Sequence, residues 1–150
     1  MQYNLSSTDN GFYPAYPAIK RALNRALIVD DDINIRAMVS FYFKGVCDLD
    51  IAETSPRAMR YLQNTKYDLI LMDIELGFGM NGIETTREIR EVPRFRYIPI
   101  IAITACAQPD IKEQCMKVGM DAFLPKPFFK HTLFDKIENV LKEKNSEIKN

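Results

Sequence analysis

The chain has 150 residues, with 20 Lys and Arg, 20 Asp and Glu and one His, so its formal charge is zero. That length suits one domain plus a short extension, and the 47% apolar fraction excludes wholesale disorder. The neutral total speaks against a protein built to coat nucleic acid, and no apolar run approaches the roughly 18 residues of a membrane helix.

Residues 1–22 read as a flexible N-terminal extension. They are polar, hold Gly11, Pro14 and Pro17, show no helical or strand period, and lack the pattern of a signal peptide. The aromatics Phe12, Tyr13 and Tyr16 leave open a segment that docks on the domain or on a partner. The domain proper spans 23–144, and 145–150 is a polar tail. Leu27-Ile28-Val29 reads as a buried strand. Ile35, Met38, Val39, Tyr42 and Phe43 stripe a helix over 32–44, stopped by Gly45. Residues 48–51 alternate charged and apolar, as an edge strand does. Ser55 as cap and Pro56 at the first helical position open a helix to about Thr65. Leu69–Met72 is a buried strand, followed by a glycine-rich loop and a helix over about 83–90. Ile98–Thr104 is the fourth strand, and Pro109 opens a helix with Ile111, Cys115 and Val118 on one face, ended by Gly119. Ala122–Leu124 is a short fifth strand. Leu133, Ile137, Val140 and Leu141 stripe the last helix.

Apolar strands alternating with amphipathic helices predict an α/β fold, a (βα)5 doubly wound parallel sheet covered on both faces. Ligands of such sheets bind beyond the carboxyl ends of the strands. Asp30, Asp31 and Asp32 follow the first strand, Asp73 the third and Lys126 the fifth, while Thr104 ends the fourth. Asp32 suits a helix cap. The other carboxylates converge and repel, and a hard divalent cation such as Mg2+ removes that repulsion. With a threonine donor and a lysine charge beside them, these groups suit phosphoryl transfer, in which a carboxylate is itself the nucleophile.

Four segments carry a resemblance: Leu27-Ile-Val-Asp-Asp-Asp32, Leu69-Ile-Leu-Met-Asp-Ile74, Ile100-Ile-Ala-Ile-Thr-Ala105 and Phe123-Leu-Pro-Lys-Pro127. With them, the chain from about Arg25 to Lys144 resembles the receiver domain of two-component response regulators and hybrid histidine kinases. The resemblance implies a flavodoxin-like strand order 2-1-3-4-5. It implies Asp73 as phosphoacceptor, and Asp30, Asp31, Asp73 and the Glu75 backbone carbonyl as the Mg2+ set. It implies Thr104 and Lys126 as phosphoryl ligands, Thr104 and Phe123 as switch residues, and a cis Lys126-Pro127 bond. The implied function is a cytoplasmic signalling switch, phosphorylated by a sensor histidine kinase or histidine phosphotransfer protein. It is a phosphoacceptor rather than an enzyme, apart from self-catalysed transfer and autodephosphorylation. It has no membrane or nucleic-acid partner, and weak homodimerisation is allowed.

The loop after Asp73 departs from the family pattern: Gly77 stands where Pro is usual, and Gly82 lies one residue further on. That leaves a phosphorylation-independent interaction module as an alternative. A phosphatase with an Asp nucleophile fits less well, because Glu75 replaces its usual second Asp. A flavodoxin lacks support, since no Ser/Thr-rich phosphate loop follows the first strand. His131, Cys106, Arg94 and Arg96 read as surface or packing residues. No DNA-binding output is expected, so the chain reads as a stand-alone or hybrid-kinase receiver.

Overall fold

The apolar runs and the alternating segment at 48–51 become strands: β1 (Arg25–Val29), β2 (Asp48–Ala52), β3 (Leu69–Asp73), β4 (Ile100–Thr104) and β5 (Ala122–Pro125). They form one sheet in the order β2-β1-β3-β4-β5, with every neighbouring pair parallel. A computed structural model describes residues 16–77 and 79–149. The helices are α1 (Pro17–Ala22), α2 (Ile33–Phe43), α3 (Ser55–Asn64), α4 (Gly82–Glu91), α5 (Pro109–Lys117) and α6 (Lys130–Lys149), with a 3-10 turn at Pro93–Phe95. Among the described residues, no helix is long and apolar enough to cross a membrane.

The pleat sorts the strand residues into two cores, because successive side chains point to opposite faces. Ala26, Ile28, Leu69, Leu71, Ile101 and Ile103 face α1, α2 and α6, where they meet Val39, Phe43, Phe134 and Ile137. Leu27, Val29, Ile70, Met72, Ile100 and Ala102 face α3, α4 and α5, where they meet Ala58, Leu62, Ile89 and Cys115. β3 and β4 are buried along their whole length, as an apolar run without alternation requires. β2 is mostly half-exposed, in keeping with its charged alternation and its place at the edge.

Side chains close the helix starts. Asp32 accepts from the Asn34 N–H at 2.8 Å, and Asn81 with Glu84 makes a reciprocal capping box. The cap of α3 is Thr54, not Ser55. Ser55 is already helical and buried, and its hydroxyl accepts from Thr85 on α4 at 2.9 Å. Gly119, at a φ of +98°, turns the chain out of α5.

The described residues 16–22 and 145–149 differ from the sequence-based expectation. Residues 16–22 do not behave as an extension: Pro17–Ala22 is helical, and Tyr16, Ile19 and Leu23 enter the core. The Tyr16 ring stacks on Phe134 of α6 with centroids 4.7 Å apart. Six residues are too few to display a period, yet each fully buried aliphatic side chain here contributes about 1.5–3 kcal/mol. Gly11, Phe12, Tyr13 and Pro14 lie outside the described residues. At the other end, the stretch after Lys144 is not a tail, because α6 runs on to Lys149. Its Lys and Glu residues are good helix formers, and no Gly or Pro interrupts them.

Candidate functional site

The parallel register brings the chemistry-bearing residues to one rim. Val29 pairs with Met72, Asp73 with Ile103 and Thr104 with Pro125, so the residues that follow emerge side by side. Backbone bonds extend this frame past the strand ends. The Asp30 N–H donates to Ala52 at 3.0 Å, and the Lys126 N–H donates to the Thr104 carbonyl at 2.8 Å. The Lys126-Pro127 bond is cis, as the motif implies.

Asp30, Asp73 and Thr104 are buried, while Asp31 is exposed at the lip. Carboxylate oxygens of Asp30, Asp31 and Asp73 all lie within 4.8 Å of one another. The Lys126 ammonium sits 2.8 Å from Asp30 Oδ2 and 3.5 Å from Asp73 Oδ2. Each carboxylate is steered by a backbone donor. The Asp32 N–H reaches Asp30 Oδ1 at 2.8 Å, the Glu75 N–H reaches Asp73 Oδ1 at 3.0 Å, and the Gly77 N–H reaches Asp31 Oδ2 at 2.8 Å. The Cys106 N–H donates to Thr104 Oγ1 at 3.0 Å, which leaves the threonine's own proton to give.

This arrangement is electrostatically loaded. Burial pushes the Asp73 carboxyl up to about 6, against the Glu75 N–H that favours its ionised form. The Asp30 charge pushes the same way as burial, and the Lys126 charge opposes it. Burial disfavours the Lys126 ammonium, but its hydrogen bond to Asp30 and the two carboxylate charges together raise its pKa. Three carboxylates face one ammonium, so the rim has room for two further positive charges. An all-oxygen donor set with that deficit fits a hard divalent cation.

The structure thus gathers Asp30, Asp31, Asp73 and Lys126, with Glu75 joined through its N–H to Asp73 and Thr104 at the end of the adjoining strand. Phe123 belongs to the second core: it is buried there, in register with Ala102. His131 is exposed and stacks on Phe129 with centroids 5.8 Å apart, Cys106 is half-buried, and Arg94 and Arg96 are exposed. Two participants escape a reading of side chains, the N–H groups of Gly77 and Cys106. A third, Gly82, is legible only as a glycine in the loop. A Cβ at position 82 would collide with the Asp73 carbonyl oxygen and lie 2.7 Å from Ile74 Cα, so α4 packs directly on the Asp73 backbone.

A family model for the response regulator receiver domain matches residues 26–138. The transcriptional regulatory protein CpxR homolog of Haemophilus influenzae is 32% identical over 130 residues, covering 85% of this chain and 55% of that protein. The aerobic respiration control sensor protein ArcB of Escherichia coli is 35% identical over 107 residues, covering 71% of this chain and 14% of that protein. The chain therefore spans about half the length of the first relative and about a seventh of the second. One similar solved structure is the receiver domain of the sensor histidine kinase PA1611 of Pseudomonas aeruginosa, with a magnesium ion coordinated in its active-site cleft. It aligns with a TM-score of 0.72 and 29% identity, covering 79% of this chain and 98% of that one. The fold, the strand order and the family match agree: the chain belongs to the receiver domains of two-component signalling.

Proposed function

We propose that this chain is a phosphorylation switch whose acceptor is Asp73. The observation that carries the reading is the Lys126 ammonium set between the buried carboxylates of Asp30 and Asp73, with Thr104 on the adjoining strand. The Asp73 carboxylate attacks the phosphorus of a phosphohistidine on a partner. The P–N bond breaks and the imidazole leaves with its electron pair. Lys126 neutralises a phosphoryl oxygen and the Thr104 hydroxyl donates to another. Mg2+, held by Asp30, Asp31, Asp73 and the Glu75 carbonyl, would supply the remaining positive charge. Thr104 then draws toward the phosphoryl group, and Phe123 adjusts behind it. The surface of α5, β5 and α6 changes with them, and so does partner affinity.

The partner class is a sensor histidine kinase or histidine phosphotransfer protein, in line with the similarity to a receiver domain of a sensor histidine kinase. The chain acts as the receiver module of such a phosphotransfer system. It turns over only its own phosphoryl group, with no external substrate. Its three free cysteines suit a reducing, cytoplasmic setting. Incubation with acetyl phosphate and Mg2+ is expected to add one phosphoryl group, detected by intact mass. Asp73→Asn is expected to abolish the addition, and persistent labelling of that variant overturns the assignment.

A further inference from the structure

The loop between β3 and α4 is tied at three points. The Glu75 N–H holds Asp73, the Gly77 N–H holds Asp31, and the Gly82 N–H donates to the Ile74 carbonyl at 3.2 Å. The first and last ties are local in the chain. The middle one spans 46 residues and joins the loop to the exposed member of the acidic rim.

Residue 77 is suited to that tie in two ways. It carries an N–H, which a proline would lack. It also lacks a Cβ, and a Cβ there would lie 2.8 Å from Asp31 Oδ2, too close to be accommodated without displacing the carboxylate. An exposed aspartate otherwise samples several rotamers, and ordering it on binding costs free energy. A charge-assisted N–H bond to one oxygen removes part of that cost beforehand.

We propose that Gly77 is a positioning residue for Asp31: its N–H and its missing Cβ hold the carboxylate in place for a divalent cation and thereby couple the β3–α4 loop to cation binding. This rests on the reading of Asp31 as a cation ligand, and its test separates the two. In cation-free protein, amide exchange at Gly77 is measured for the wild type, Asp31→Ala and Asp31→Asn. Loss of the acceptor is expected to speed exchange about tenfold or more. The Asn variant keeps an acceptor oxygen and is expected to stay near the wild type. Equal exchange in all three overturns the tie.

The second arm is the Mg2+ dependence of phosphorylation by acetyl phosphate, with calorimetric Mg2+ titration beside it. Gly77→Ala is expected to raise the half-saturating Mg2+ concentration about tenfold. The rate at saturating Mg2+ is expected to stay within about twofold of the wild type, because the reacting groups are untouched. An unchanged half-saturation overturns the positioning role, and so does a loss confined to the maximal rate. A wild-type protein that binds no Mg2+ overturns the reading of the rim itself, and the coupling with it, while the exchange arm still reports whether the tie exists.

Discussion

The two ends of the sheet handle charge in opposite ways. At the amino ends of the strands, opposite charges meet. Arg25 bridges Asp48 and Asp50 at 3.4 and 2.9 Å, and Tyr67 donates to the same Asp50 at 2.6 Å. Asp121 lies between Arg90 at 3.2 Å and Lys144 at 2.9 Å, and also accepts the Ile100 N–H. The same Arg90 donates to the carbonyls of Gly119 and Phe95, so it fastens α4 to the segments that lead into β5 and β4. At the carboxyl ends, acids outnumber their one ammonium, and Asp73 is held far above the usual carboxylate range. One end is arranged for stability. The other keeps a repulsion among carboxylates, the kind that a bound cation relieves.

The contrast can be broken most severely at the settled end. Asp121→Ala strands the largely buried Arg90 guanidinium and leaves the Ile100 N–H unpaired, and is expected to cost about 3–5 kcal/mol in urea unfolding. At the loaded end the sign reverses. The folded state binds the Asp73 proton more tightly than the unfolded chain, whose ordinary value is 3.8. The stability linked to that proton is full below pH 3.8 and is lost as the pH rises through about 6. Asp73→Asn is therefore expected to stabilise the cation-free protein by about 1–3 kcal/mol at pH 7.5, with the gain shrinking toward pH 4. A variant less stable than the wild type at pH 7.5 means that the rim is not strained.

Protons and cations compete for the same carboxylate, which sharpens the comparison further. Mg2+ affinity measured by titration is expected to be flat above about pH 7 and to fall about tenfold per unit below pH 6. The smallest effect belongs to an ion pair at neither end. Glu113 and Lys117 on α5 are 3.1 Å apart but mostly exposed, and Glu113→Ala is expected to change stability by less than about 0.5 kcal/mol.

What the sequence displays and what it hides follow from range. Strands β1, β3 and β4 are legible because their burial on both faces leaves apolar runs. Asp30, Asp73, Thr104 and Lys126 are legible because the parallel sheet puts every strand end on one side, so position along the chain becomes position in space. The cap of α3 is hidden because Thr54 and Ser55 are chemically alike, and only the Thr85 hydroxyl on another helix decides which one turns inward. The Gly77–Asp31 tie is hidden because its donor is backbone and its partner lies far away in the chain. The union of Arg90 with Asp121 and Lys144 joins three charges whose spacing has no local meaning.

The short helix α1 bears on where this domain can be cut. The family match begins at residue 26, but among the described residues the packing reaches back to Tyr16. A fragment started at the match boundary would lose Tyr16, Ile19 and Leu23 and lay bare the side of α6 that holds Phe134. Fragments meant for expression, crystallisation or grafting onto another output should carry those ten residues along, or an aggregation-prone apolar seam replaces a closed surface.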